Sequence, residues 1–264
     1  MSGIIIDSFT LFSVDADAQA FLAVTTGLTQ SQETAINDLV VGLKANNTWD
    51  KYLAIYPVIG GTEYNHKYNL KDPRDLDAAF RLSYIGFGVT HSATGMNGHN
   101  TGGATSFLNI STEFASPNIF SAGYYSRTTN ANTTSVEIGA SVGAERMHLV
   151  IGFNSSTNAE FDCYDESSTR VTGANGTEAG WFVGSRLSTT DAKLFKDGSQ
   201  IGSTTTTMSA SPPNANLSVM GSNTAGYSSR ECAFVVIGDG LSATEIANDY
   251  TTIQAYQTAL GREI

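Results

Sequence analysis

Positively charged residues are scarce in this chain. Its 264 residues include 14 Lys and Arg against 25 Asp and Glu, which gives a formal net charge of −11. Nucleic-acid-binding proteins need clustered positive charge to displace counterions from the phosphates. The basic residues here are scattered, without a run of three. The sequence therefore argues against DNA or RNA as a partner.

Long hydrophobic runs are also missing. No segment reaches the roughly 18 apolar residues that a helix needs to cross a bilayer, so we expect no membrane insertion. Residues 1–7 lack the basic stretch and the apolar stretch of a secretory signal peptide. We therefore expect synthesis in a cytoplasm, without export by that route.

Cysteine is nearly absent. The two cysteines, Cys163 and Cys232, each lie in a predicted strand. Free cysteine behaves as a small buried hydrophobe, whereas disulfides form mainly in oxidising compartments. We expect two buried thiols, with a disulfide as the less favoured alternative.

The chain is rich in apolar residues, and their pattern is typical of β-strands. Hydrophobic residues make up 41% of it, enough for a packed core. Short strand-like segments separated by Gly, Pro, Asn and Ser are typical of sandwiches and barrels. We predict a mainly β fold, an antiparallel two-sheet jelly-roll sandwich. The predicted strands lie near 4–12, 52–58, 78–85, 104–109, 118–127, 133–140, 145–153, 158–164, 180–187, 191–196, 199–204, 215–220 and 229–237.

The strongest local signal is a hairpin. Asp197-Gly198 lies between two apolar-bearing strands, and a two-residue type I′ turn needs positive φ at both central positions, which Asp-Gly tolerates. This pair therefore predicts two adjacent antiparallel strands.

Helices are predicted only near the two ends of the chain. A short helix over 17–25 precedes a second that begins at Thr29, where Gln32 completes a capping box. Ser242 and Glu245 form the same motif before a last helix that ends near 260.

The domain organisation follows from these elements. We expect an N-terminal extension over 1–15 and a single domain over 16–264, with a helical cover over 16–50 and a C-terminal helix over 242–260. The extension contains Ile4, Ile5 and Ile6, an apolar segment without an obvious internal mate. We expect it to contact a partner protein.

Three sequence blocks together suggest a family. They are the segment 29–61, which ends in WDKYLAIYPVIGG, HKYNLKDPRDLDAAFRL at 66–82, and the 196–198 hairpin followed by IGDGLS at 237–242 and IQAYQTALGR at 253–262. The chain from about 20 to 262 resembles the concanavalin A-like (LamG-like) jelly-roll domains of tailed-bacteriophage virion proteins, found on tails, fibres and capsid surfaces.

The resemblance implies a role as well as a fold. It implies a non-enzymatic structural or accessory protein of the virion: a capsid decoration, a head fibre or a tail component. Its partners would then be other virion proteins and host cell-surface polysaccharide. A homo-oligomer is compatible with such a role.

The rival hypothesis is an enzyme, a jelly-roll endo-glycoside hydrolase using Glu160 and a nearby acid. In a regular strand Glu160, Asp162 and Tyr164 share one face, and two carboxyl groups about 5–5.5 Å apart can run a double displacement. The next acids, Asp165 and Glu166, do not fall at the required spacing unless the strand contains a bulge. A strand end followed by a solvated acidic turn is the favoured interpretation.

Aromatic side chains are the candidate sugar platforms, because glycan sites combine a flat ring with amides and carboxylates. For Trp181, which has apolar neighbours, a core role is the favoured alternative. The weak candidates are Tyr124, Tyr125, Trp181 and Tyr227.

No metal site or cofactor is predicted. The four histidines have no metal-ligand spacing, and His91 and His99 are the pair nearest in sequence. The LamG-like resemblance admits a structural Ca²⁺, but the sequence contains no calcium-loop motif.

Overall fold

The computed structural model describes residues 14–114, 116, 118–129, 135–153, 157–164, 169–208, 211–223 and 226–264. Most of the predicted extension over 1–15, including the strand predicted over 4–12 and Ile4, Ile5 and Ile6, lies outside the described residues, as do Asp165 and Glu166.

The described residues form five α-helices and fifteen strands, with two short 3₁₀ turns at Trp49–Lys51 and Asp77–Ala79. The helices are α1 (Ala16–Val24), α2 (Gln30–Ala45), α3 (Glu63–His66), α4 (Ile110–Glu113) and α5 (Ala243–Ala259). The strands are β1 (Tyr52–Tyr56), β2 (Ser83–Gly86), β3 (Thr90–His91), β4 (Met96–Asn97), β5 (Gly102–Asn109), β6 (Phe120–Ser126), β7 (Ile138–Val142), β8 (Glu145–Phe153), β9 (Asn158–Tyr164), β10 (Val171–Ala174), β11 (Gly180–Ser188), β12 (Asp191–Lys196), β13 (Ser199–Thr204), β14 (Asn216–Val219) and β15 (Cys232–Gly238).

The strands form two antiparallel sheets, which confirms the predicted two-sheet sandwich. One has eight strands, in the order β13-β12-β11-β6-β15-β4-β3, with β1 also paired to β15. The other has seven, in the order β10-β9-β8-β7-β14-β5-β2. None of the described helices is long and apolar enough to span a bilayer.

Two apolar layers hold the molecule together. The first lies between the sheets and includes Phe120, Phe161 and Val235. The second lies between the eight-stranded sheet and helices α1, α2 and α5, and includes Phe21 and Phe234. The helices therefore cover the outer face of the eight-stranded sheet.

Strand β15 shows how sequence encodes this layering. Val235 and Ile237 face the other sheet, while Phe234 and Val236 face the helices. A strand covered on both sides has no solvent face, so it is apolar almost throughout. Fully burying each such side chain contributes about 1.5–3 kcal/mol before the entropy of ordering it is subtracted.

The Asp197-Gly198 hairpin is confirmed. Both residues have positive φ, 49° and 74°, as a type I′ turn requires. Lys196 pairs with Ser199 across the turn. The Asp197 carboxylate accepts the backbone N–H of Trp181 at 2.8 Å, which ties the turn to β11.

The predicted helix caps are also confirmed. The Thr29 hydroxyl accepts the Gln32 N–H at 3.3 Å, and the Gln32 side chain returns to the Thr29 N–H at 2.9 Å. Ser242 and Glu245 form the corresponding box at the start of α5.

Buried Asp249 then fixes α5 to the sheet. Its carboxylate accepts hydrogen bonds from the Tyr52 hydroxyl at 2.5 Å, the Thr48 hydroxyl at 2.7 Å and the Asn46 amide at 2.9 Å. The C-terminal helix is thereby joined to the segment that connects α2 to β1.

Some strand predictions were wrong. The strand predicted over 78–85 begins only at Ser83, because a 3₁₀ turn and a left-handed Phe80 (φ 58°) occupy its first half. The edge strand β10 and the two-residue strands β3 and β4 were not predicted; they are too short to show a periodic pattern.

Both cysteines are buried and free, as expected for core thiols. Each has its side chain in the layer between the sheets. Burial raises the pKa of Cys163 to about 12, so its thiol stays protonated at neutral pH.

Candidate functional site

Charged side chains converge on the outer face of the seven-stranded sheet. Along β8, Met147, Leu149 and Ile151 point into the core. The alternate residues Arg146 and His148 therefore face outward, because side chains alternate along a strand.

Strand β9 presents its own polar face beside them. His148 lies opposite Asp162, and Val150 lies opposite Glu160. Arg170 reaches the same surface from the residue before β10. The site is thus assembled from β8, β9 and the start of β10.

These side chains line an open pocket of about 210 Å³. Two segments that flank the sheet complete its wall. The lining residues are Ser135, Val136, Arg146, His148, Val150, Glu160, Asp162, Arg170 and Gly226.

Ion pairs fix the polar groups of the pocket. The Asp162 carboxylate lies between two guanidinium groups, with Arg170 Nε at 2.6 Å from Oδ1 and Arg146 Nε at 2.8 Å from Oδ2. Arg170 Nη2 also donates to Oδ2 at 3.1 Å. The planar guanidinium group of Arg170 therefore binds both oxygens of the Asp162 carboxylate, and this bidentate geometry restricts the motion of the Arg170 side chain.

Glu160 is held less tightly. Its Oε2 lies 3.2 Å from Arg170 Nη1. Burial raises the pKa of Glu160 to about 7, with the Asp162 charge acting in the same direction and Arg170 opposing both. At neutral pH this carboxyl group exchanges between protonated and ionised forms, so it can act as donor or acceptor.

His148 supplies a further polar group. Its Nε2 lies 3.2 Å from the Ser222 hydroxyl. Gly139 on β7 makes room for its ring, because a Cβ there would lie 2.7 Å from His148 Cδ2. The pocket thus offers guanidinium, imidazole, hydroxyl and carboxyl groups on a rigid sheet.

The sequence predicted part of this site. Glu160 and Asp162 do share a face, as strand alternation requires. Tyr164 does not join them: its backbone is left-handed (φ 79°), and its side chain packs in the core. The guanidinium of Arg186 lies 4.7 Å from the Tyr164 ring centroid there.

Sequence reasoning missed the basic partners Arg146, His148 and Arg170. The alternation of apolar and polar residues in β8 is the sequence signal that could have placed Arg146 and His148 on the solvent-facing side of the strand. Only the pairing of β8 with β9 brings them against the two acids.

The candidate sugar platforms occupy other environments. Tyr124, Tyr125 and Trp181 are fully buried, so no ring face is open to a ligand. Trp181 stacks on Tyr250 at 6.4 Å between the sheet and α5, the core role favoured for it. Tyr227 is half-buried and packs beside Gly221.

The structure brings together two histidines that are distant in sequence. His91 meets His66, with the two Nδ1 atoms 3.0 Å apart. His99 Nε2 lies 2.8 Å from the Thr90 hydroxyl. Across the described ranges, no three His, Cys, Asp or Glu side chains are grouped closely enough to enclose a metal ion.

Comparisons with known proteins show the fold. No protein-family model and no curated protein matches this sequence. Domain 4 of AbnA, a GH43 extracellular arabinanase from Geobacillus stearothermophilus solved with arabinotriose, has a TM-score of 0.52 at 12% identity, covering 75% of this chain and 98% of that domain.

Two further structures give the same result. Trypanosoma rangeli sialidase in complex with 2,3-difluorosialic acid has a TM-score of 0.50 at 11% identity, and the match covers 83% of this chain but only 38% of the sialidase. A receptor-binding domain also reaches 0.50, at 13% identity, over 79% of this chain and 52% of its own. At such identities the likeness establishes the two-sheet β-sandwich and nothing finer.

Proposed function

We propose that this protein is a non-enzymatic carbohydrate-binding β-sandwich that contacts its glycan through the pocket on the outer face of the seven-stranded sheet. The observation that carries the proposal is the set of polar side chains held in place there by ion pairs. Sugar hydroxyl groups need both donors and acceptors at fixed positions, and binding costs less when those groups are already ordered.

The fold is compatible with this role. The arabinanase domain that superposes on this chain was solved with arabinotriose. The pocket itself supplies charge-assisted donors from Arg146 and Arg170, and buried Asp162 holds both guanidinium groups in place, an arrangement suited to vicinal hydroxyl groups.

A glycan array followed by calorimetric titration of the strongest hits tests the proposal. We expect Arg170→Gln to weaken binding at least tenfold, because a hydrogen bond to a charged group contributes about 1.5–3 kcal/mol. Arg74→Gln is the matched control, since Arg74 pairs with Asp72 at an exposed site outside the pocket. Unchanged affinity in a folded Arg170→Gln protein, or no binding to any glycan at millimolar concentration, would reject the proposal.

The biological setting we propose is a bacteriophage particle, where the protein would serve as a capsid-decoration, head-fibre or tail component. The support is the resemblance of residues 20–262 to LamG-like virion domains. Mass spectrometry and antibody labelling of purified particles test it. Detection only in the soluble fraction of lysed cells would contradict a virion location.

The second candidate is an endo-glycoside hydrolase. A carboxyl group with a pKa near 7 beside a second carboxylate is the arrangement expected of a general acid, and Glu160 and Asp162 provide it. We place it second because arginines engage both oxygens of Asp162, which weakens that carboxylate as a nucleophile. Steady release of reducing ends from a polysaccharide, lost in Glu160→Gln, would establish the hydrolase instead.

A further inference from the structure

The aromatic ring of Phe87 is far more exposed than any other large apolar side chain of the described residues. It is 87% exposed, whereas the next values range from 39% to 51%. Phe87 lies in a loop (residues 86–89, the Phe87 loop) that joins β2, at the edge of the seven-stranded sheet, to β3, at the edge of the eight-stranded sheet. Four strand spacings separate β2 from β8, about 19 Å at 4.7–4.9 Å each. The Phe87 loop is therefore separate from the pocket on β8 and β9.

The backbone on both sides of this ring is fixed. Gly86 and Gly88 have φ of 82° and 88°, values that residues with a Cβ rarely adopt. The Phe87 N–H donates to the Thr101 carbonyl at 3.2 Å, and the Thr101 hydroxyl donates to the Phe87 carbonyl. Two glycines and two hydrogen bonds therefore set the course of the chain at Phe87, and the ring projects into solvent.

The turn that precedes β5 places polar groups beside the Phe87 loop. His99 and Asn100 lie at its centre, and both have positive φ, 48° and 59°. His99 Nε2 lies 2.8 Å from the Thr90 hydroxyl, which joins this turn to the residue that follows the Phe87 loop. The exposed side chains of the two segments include Thr90, His99, Asn100 and Thr101. Hydroxyl, imidazole and amide groups thus accompany an open aromatic face.

Charge is nearly absent from the sequence around this ring. No Lys or Arg occurs between Arg81 and Arg127, and the only acidic residue there is Glu113. Phosphate-bearing ligands, whether nucleic acids or anionic lipid surfaces, are held through clustered positive charge. A protein interface has an apolar centre, whereas the exposed side chains beside Phe87 are polar. These observations favour an uncharged ligand that has both apolar C–H faces and hydroxyl groups.

We propose that Phe87 is the stacking platform of a second glycan-binding site, which takes an uncharged sugar residue of a polysaccharide. The C–H groups on one face of a sugar ring carry partial positive charge and the face of an aromatic ring is negative, so the two faces attract as both leave water. The sugar hydroxyl groups then point past the ring edge toward the polar side chains of Thr90, His99 and Asn100. This second site rests on the carbohydrate-binding role proposed above but shares no residue with the pocket on β8 and β9.

Calorimetric titration with the uncharged hexasaccharides of cellulose, xylan and arabinan tests the site. We expect at least one of them to bind, and Phe87→Ala to weaken that binding about tenfold, because the sugar loses its stacking partner. Phe87→Tyr keeps a flat ring and should bind as the wild type does. Phe87→Leu keeps an apolar side chain without an aromatic face and should lose most of the affinity. Because Phe87 is exposed, all three variants should keep the wild-type Tm.

Leu76→Ala is the matched control, since Leu76 is 51% exposed and lies outside the Phe87 loop. It should leave the affinity unchanged, as should Arg170→Gln in the pocket on β8 and β9. Affinity lost in Arg170→Gln but kept in Phe87→Ala would overturn the second site while supporting the pocket. Wild-type affinity in Phe87→Leu would contradict stacking on the ring face. Failure of all three hexasaccharides to bind at millimolar concentration would also overturn the second site, whatever glycan the pocket binds.

Discussion

The buried arginine Arg230 offers the sharpest test of how the two sheets are joined. It lies just before β15 of the eight-stranded sheet, and its side chain is fully buried. Its Nη1 is 2.8 Å from Glu137 Oε1, and its Nε is 3.0 Å from Glu178 Oε2. Nη1 also donates to the Ser135 hydroxyl at 2.6 Å. Glu137 directly precedes β7 of the other sheet, so this network bridges the sandwich.

Replacing Arg230 with methionine keeps much of the volume but removes the positive charge. Two buried carboxyl groups, Glu137 and Glu178, then lose their guanidinium partner. Breaking a buried ion pair in this way costs about 3–5 kcal/mol, because the remaining charge stays desolvated. For a chain of this size such a loss lowers Tm by roughly 6–20 °C.

The stability lost in Arg230→Met should also depend on pH, in a direction that the pKa of Glu137 decides. Burial already raises the pKa of Glu137 above its usual value, with Arg230 opposing the rise. Without Arg230 the folded-state pKa of Glu137 must rise further. When the pKa of a carboxyl group is higher in the folded than in the unfolded protein, the group contributes its full stability at pH values below the unfolded-state pKa. That contribution is lost as the pH rises through the folded-state pKa. The Arg230→Met deficit should therefore be larger at pH 8 than at pH 5.

Denaturant unfolding at a series of pH values measures this deficit. Arg74→Met, at an exposed ion pair with Asp72, is the control and should leave Tm unchanged. A loss below about 1 kcal/mol for Arg230→Met would refute the argument, because the carboxylates would then not be desolvated. A deficit that grows as pH falls would refute it equally.

Three other predictions follow from named contacts. Gly184→Ala places a Cβ 2.2 Å from Cδ2 of Phe161 between the sheets, and this overpacking should cost about 1–3 kcal/mol in urea unfolding. Glu160, with a pKa raised to about 7, stabilises the fold fully below pH 4.5 and loses that contribution as pH rises through 7, so Glu160→Gln should flatten the stability profile over this range. Asp249→Ala removes three hydrogen bonds, while Thr48 and Asn46 keep second acceptors; this should cost about 3 kcal/mol and speed hydrogen exchange in α5.

Much of the fold could be predicted because its signals are local. The Asp197-Gly198 turn needs two positive φ values, and the Ser242 cap needs one hydroxyl and one Glu three residues later. Both requirements are visible within a few residues. The left-handed Phe80 is different, since a bulky residue with positive φ carries no sequence mark. The edge strand β10 (Val171–Ala174) also has no recognisable sequence pattern, because it forms through its pairing with β9.

The candidate site was predictable only in part, for a related reason. Alternation in β9 put Glu160 and Asp162 on one face, which is a property of one strand. Their contacts with Arg146 and Arg170 depend on two further segments and on the register between β8 and β9. A charged residue also gives no local sign that it will be buried. Asp162 is 1% exposed, and only its arginine partners make that burial tolerable.

The position of the pocket follows from how the helices are distributed. A two-sheet sandwich has two outer faces, and helices α1, α2 and α5 bury the one on the eight-stranded sheet under a second apolar layer. Any ligand that binds a sheet face must therefore use the seven-stranded sheet or the loops at the rim. The outward positions of β8 and β9 are where this chain places Arg146, His148 and Asp162 rather than apolar residues. Buried charge is costly unless it is paired, so four charged side chains retained on one small surface are the feature on which the glycan-binding proposal rests.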